Sequence, residues 1–175
     1  ADILTGLLRK TIDAAWGPEP WGARLGHEAG GELVLDERDL WPDRRFPTTV
    51  LIASSAMLRE RPALLTRWLT AHVELTAWIR AHPEEAKQVV NQELERLTGH
   101  ALAHAVLNDA WARVELTNDP LARHLEVAAA HAFRLGFLGP RQPELSGLVD
   151  IGWLQQILSP VEPAHELIRG VSVKE

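Results

Sequence analysis

Apolar residues recur at three- and four-residue spacing through most of the chain after Arg61, which predicts a helical second part. Pro62 suits a first helical position, and the apolar residues that follow it predict a helix of about five turns. Similar patterns predict helices from Pro83 to Gly99, over 102–114, from Pro120 to Gly136 and near 147–158. Before Arg61, the periodicity predicts shorter helices near 3–8 and 21–29, the second ended by Gly30.

Three short apolar runs predict strands: Ile12–Trp16, Glu32–Leu35 and Thr48–Ala53. The last is the strongest, because β-branched and apolar residues follow one another without a break. A sheet of so few strands is only marginally stable, and we therefore expect partner strands elsewhere. The chain also starts within a helical pattern, without an initiator methionine or an export signal. We therefore expect a piece of a longer polypeptide.

Composition and charge exclude several classes of protein. The chain has 175 residues, of which 46% are hydrophobic and 24% charged, as in one ordinary globular domain. A formal net charge of −6 gives no basic surface for nucleic acid. No apolar run is long enough to cross a bilayer. The absence of cysteine excludes disulfides and leaves the compartment open.

The segment from Trp16 to Trp21 is the most unusual in the chain. Pro18 and Pro20 fix the backbone at alternate positions, and the two indoles flank the carboxylate of Glu19. This apolar and rigid segment predicts one wall of a binding site.

Several short motifs, in their order along the chain, resemble the nitrate/sulfonate/taurine group of ABC-transporter substrate-binding proteins, and most closely the aliphatic-sulfonate binders. The motifs are Asp-Ala-Ala-Trp-Gly-Pro-Glu-Pro-Trp (13–21), Glu-Ala-Gly-Gly (28–31), Asp-Glu-Arg-Asp-Leu-Trp-Pro (36–42), Thr-Thr (48–49), Ala-His-Pro-Glu-Glu-Ala (81–86) and Thr-Asn-Asp-Pro-Leu (117–121). The resemblance spans nearly the whole chain and ends near Leu158.

The resemblance implies an α/β fold: a helix-rich C-terminal fragment of a type II periplasmic binding protein with few strands. Residues 1–47 would form the end of the second lobe and the return hinge crossing, and residues 48–175 the C-terminal part of the first lobe. It further implies an extracytoplasmic protein, periplasmic or membrane-anchored, that carries a small anionic solute to ABC permease subunits. No cofactor or metal is expected, and the incomplete sheet predicts self-association of the fragment.

The expected ligand-binding residues are Trp16, Glu19, Trp21, Thr48 and Thr49. Indoles would cover the organic tail, and threonine hydroxyls would donate to a weakly basic oxyanion. Glu19 would repel an anion unless its carboxylate accepts from the backbone or from an amino group of the ligand, so its role is open between binding and structure.

Two alternative functions stay open. One is an enzyme on the same scaffold, like relatives in thiamine-precursor synthesis, but Lys10, Lys87 and Lys174 lie in no apolar or glycine-rich setting, so catalysis is not expected. The other is a helical protein-interaction domain. His100 and His104 have the spacing of two zinc ligands on one helix face, but no third ligand accompanies them, so a solvated pair is expected.

Overall fold

The computed structural model describes residues 3–159, and these form a helical structure. The α-helices are α1 (Ile3–Leu8), α2 (Trp21–Ala29), α3 (Ser55–Glu60), α4 (Pro62–Ala81), α5 (Pro83–Thr98), α6 (His104–Arg113), α7 (Ala122–Arg134) and α8 (Gly152–Leu158). Two short 3-10 turns, Glu37–Leu40 and Pro42–Arg44, lie between α2 and α3.

Local signals place most helix ends where the sequence predicts them. Pro62 and Pro83 are the first residues of α4 and α5, since proline has no N–H to leave unbonded there. Gly30 and Gly99 end α2 and α5 in the left-handed conformation, at φ 65° and 80°.

The predicted start of α7 at Pro120 is wrong, because the helix begins at Ala122. Leu121 precedes it in the left-handed conformation at φ 54°, and its N–H donates to the carboxylate of Asp119 at 2.9 Å. This turn at Asp119 delays the helix by two residues.

The predicted α/β fold of a type II periplasmic binding protein is wrong for the described residues, because no strand or sheet occurs within 3–159. Ile12–Trp16, Glu32–Leu35 and Thr48–Ala53 are not helical, but none of these runs is hydrogen-bonded to another. A β-strand forms when its backbone N–H and C=O groups hydrogen-bond to a neighbouring strand. None of these three runs has such a neighbour within residues 3–159. The division of the chain between residues 47 and 48 stays a prediction, and residues 160–175 lie outside the described part.

The best-packed contact joins α2 to α6. Ala23 of α2 packs against Val106 and Ala110 of α6, and all three are buried. The two helices run antiparallel, because Glu19 just before α2 meets Arg113 at the end of α6 whereas His27 meets Asp109 one turn earlier on α6. Small alanine side chains let the two backbones approach closely, so this pair fixes the start of α2 in place.

Another group of helices forms around α4, which contacts α3, α5 and α8. Trp68 of α4 keeps 42% of its surface exposed. No helix among residues 3–159 combines the length and the apolar character needed to cross a membrane.

Candidate functional site

The indole-proline segment connects α1 to α2, and its two indoles have different surroundings. Trp16 lies in the connection with 71% of its surface exposed. Trp21 is the first residue of α2, is partly buried, and has the Arg24 guanidinium 4.8 Å from its ring centroid. Trp16 is thus available to an incoming molecule, whereas Trp21 already contacts a cation of its own helix.

Glu19 is held by two hydrogen bonds at the start of α2. Its Oε2 accepts from the backbone N–H of Ala23 at 3.1 Å, and its Oε1 accepts from Nε of Arg113 at 2.5 Å. Only 14% of the side chain is exposed. Gly22 makes room for the carboxylate, because a Cβ at that position would lie 2.9 Å from Oε1. The negative charge also faces the positive end of the α2 dipole, so the carboxylate is anchored in the protein.

Arg113 brings a positive charge to the same place. It is the last residue of α6, and 28% of its side chain is exposed. Its Nε–H donates to Glu19, and its two terminal amino groups form no hydrogen bond with any residue in 3–159. A guanidinium has five donors, so most of those of Arg113 remain available.

A second guanidinium, that of Arg38, is held by Asp36 in the first 3-10 turn. Nε and Nη2 of Arg38 donate to the carboxylate of Asp36, the shortest contact being 2.6 Å. This hydrogen bonding lowers the pKa of Asp36 to about 2 and raises the pKa of Arg38. The charge of Glu19 adds a small part of the rise in the pKa of Arg38.

The two threonines of the predicted site lie on the exposed segment after the 3-10 turns. Thr48 and Thr49 are exposed, and no hydrogen bond within residues 3–159 engages their hydroxyls. Just before them, Arg45 donates to Glu115 at 2.9 Å and to Asp119 at 3.0 Å. The hydrogen bond to Glu115 is the main cause of the raised pKa of Arg45. The hydrogen bonds of Arg45 fix the start of the exposed segment. No hydrogen bond joins Thr48 or Thr49 to residues 16–21.

Two surface depressions are lined by residues other than those of the predicted site. An open apolar groove of about 460 Å³ lies between α3 and α4, lined by Ile52, Met57, Leu64, Arg67 and Trp68. A smaller hollow of about 140 Å³ lies between α7 and residues 145–149. Within residues 3–159, no group of three or more histidine or acidic side chains is placed to hold a metal ion.

The profile of the NMT1-like family matches residues 1–93, just over half of the 175 residues. The chain belongs to the NMT1-like family. This membership is consistent with the nitrate/sulfonate/taurine-binding group and indicates a solute-binding protein of the ABC-transporter type. NMT1-like proteins are mostly substrate-binding proteins without enzymatic activity. No curated protein and no solved structure matches the chain.

The matched part of this NMT1-like protein contains Trp16, Glu19, Trp21, Thr48 and Thr49. Arg113 lies outside it and was not among the residues predicted from sequence. It is separated from Glu19 by 94 positions, and such a pair leaves no local spacing pattern in a single sequence. The only local signal is a basic residue in the last turn of a helix, which usually reflects the helix dipole.

Proposed function

We propose that this NMT1-like protein is the extracytoplasmic solute-binding component of an ABC importer. It binds a small organic sulfonate or a related oxyanion, such as nitrate or taurine, and delivers it to the permease subunits. The observation that carries this proposal is the family match over residues 1–93, which includes every residue that the sequence predicts for ligand binding.

The exposed indole of Trp16 suits one part of such a ligand. Its face offers apolar area for a short alkyl tail, and its N–H can donate to an oxygen. The exposed hydroxyls of Thr48 and Thr49 can donate to the remaining oxygens. Sulfonate and nitrate are weakly basic oxyanions, so several N–H and O–H donors around them suit their binding.

The proposed action is reversible binding without covalent chemistry. Of the lysines that an enzyme could use, Lys87 is engaged with Glu84 at 2.6 Å and with Asn108 at 2.8 Å. Lys174 lies outside the described residues. Lys10 is exposed and Lys87 is paired, and neither setting favours the alternative of a thiamine-precursor enzyme.

A ligand screen tests this proposal directly. Thermal shift and calorimetry on the intact gene product should show saturable binding of ethanesulfonate, taurine or nitrate, because a ligand that binds only the folded state raises the melting temperature. Glucose serves as a neutral control. If no oxyanion shifts the melting temperature or releases heat, the proposed function is wrong.

A helical interaction domain is the second candidate, and exposed apolar surface favours it. Ile52, which lines the groove between α3 and α4, is 82% exposed. Val34 is 93% exposed. Apolar surface of this kind marks interaction sites. Light scattering in the presence and absence of ligand separates the candidates: a solute receptor responds to the oxyanion, whereas an interaction domain changes only its mass with concentration.

A further inference from the structure

Arg113 presents one edge of its guanidinium to the protein and leaves the other edge free. The Nε–H is bonded to Oε1 of Glu19 at 2.5 Å. The terminal amino groups have no partner among residues 3–159, and the side chain is 28% exposed. Two parallel N–H groups on that free edge match two oxygens of a planar or tetrahedral oxyanion.

The guanidinium is held in position by a group that is itself fixed. Glu19 is anchored by the backbone N–H of Ala23 and fits into the space that Gly22 leaves. The buried contact of Ala23 with Ala110 keeps α6, and therefore Arg113, beside the start of α2. A positioned guanidinium loses less conformational freedom when it binds a ligand than a mobile surface arginine does.

The pairing with Glu19 does not exclude an anion on the opposite edge. A guanidinium spreads its charge over all three nitrogens and can bridge two anions, one on each edge.

We infer that Arg113 supplies the cationic contact to the oxyanion, and that Glu19 is a positioning residue that orients Arg113 without touching the ligand. This inference rests on the proposed function and deepens it, because it adds a binding residue outside the matched region. It assigns the ligand to oxyanions that accept two parallel N–H donors, such as a sulfonate.

The test compares two arginines that each donate from Nε to a carboxylate. Arg96 on α5 also donates from Nε to a carboxylate, that of Glu93 at 2.7 Å, but it lies on an exposed helix face. Calorimetry with ethanesulfonate on the intact gene product should show affinity lowered about tenfold or more by Arg113→Lys, which keeps the charge and loses the fork. The control Arg96→Lys should change affinity less than about twofold.

A second measurement does not depend on the folding of a variant. Phenylglyoxal modifies accessible guanidinium groups, and peptide mass spectrometry locates the modified arginines. Ethanesulfonate should protect Arg113 in the wild-type protein and leave Arg96 reactive.

The outcomes separate the inference from the proposed function. If ethanesulfonate, taurine and nitrate all fail to bind the wild-type protein, the proposed function fails and the inference fails with it. If the wild-type protein binds an oxyanion but Arg113 is not protected by it, or the folded Arg113→Lys variant binds it equally well, only the inference is overturned.

Discussion

Two glycines of α2 should respond to alanine with opposite signs, because only one of them makes room for Glu19. Alanine in place of an exposed helical glycine usually stabilises by about 0.5–1 kcal/mol. At Gly26, the added Cβ would lie 3.7 Å from the carbonyl oxygen of Gly31, an ordinary contact. At Gly22, it would lie 2.9 Å from Oε1 of Glu19, which is too close for both atoms to stay. We therefore expect Gly26→Ala to stabilise the protein.

Gly22→Ala should destabilise by about 1 kcal/mol despite its better helix propensity. Displacing Oε1 weakens the bond to Arg113, and a hydrogen bond between charged groups contributes about 1.5–3 kcal/mol when it is well shielded. The pair is partly exposed, so the lower end of this range applies, and the propensity gain offsets part of it. The two variants should differ by about 1.5 kcal/mol, the contribution of the weakened bond, or several degrees in melting temperature for a chain of this size.

Urea unfolding followed by circular dichroism measures both variants, and a third variant identifies the cause. In a Glu19→Ala background the obstructing carboxylate is gone, so Gly22→Ala should become stabilising like Gly26→Ala. Equal stabilisation by both alanines in the wild-type background would refute the reasoning, because it would show that Glu19 moves aside without cost.

Three further predictions concern the ligand, acid stability and association. Trp16→Ala should weaken sulfonate binding by about 1–3 kcal/mol in calorimetry, because aromatic contact area is lost, and should leave the melting temperature unchanged because the indole is exposed. Unchanged affinity would show that Trp16 is not part of the site. The pKa of Asp36 is lowered to about 2, so its contribution to stability is complete above about pH 4 and declines as the pH falls from about 4 to 2. Asp36→Asn should reduce the loss of stability measured over that interval, and an unaltered pH profile would contradict this. The unpaired backbone of Thr48–Ala53 should promote dimers in light scattering at high concentration, and Ile52→Lys should shift them to monomers unless association uses another surface.

Features set by neighbouring residues were predictable from the sequence, and features set by distant residues were not. Pro62 and Pro83 begin helices, and Gly30 and Gly99 end them, because each acts through its own backbone. Thr48–Ala53 has the composition of a strand, but strand formation also needs a partner, and none is present within residues 3–159. A local pattern predicts what a segment can do, whereas pairing decides what it does.

The candidate site divides along the same line. The motif around Trp16 and Glu19 was visible because rigid prolines and indoles stand together in the sequence. The bond from Arg113 to Glu19 was invisible because the antiparallel packing of α2 on α6 brings these residues together. That packing gives Glu19 a cation that the sequence did not reveal, whereas its backbone donor, the N–H of Ala23, lies only four residues away at the start of α2.

The net charge of −6 does not by itself oppose an anion at this place, because the carboxylates bonded to Arg113 and Arg38 are locally compensated. Glu19 is paired with Arg113 and Asp36 with Arg38, so both carboxylates are neutralised within a few ångströms. Charges farther than about 8 Å are screened at physiological ionic strength. An oxyanion would therefore interact chiefly with the free edge of Arg113 and with neutral donors such as the Trp16 indole, and local pairing matters more here than the charge of the whole chain.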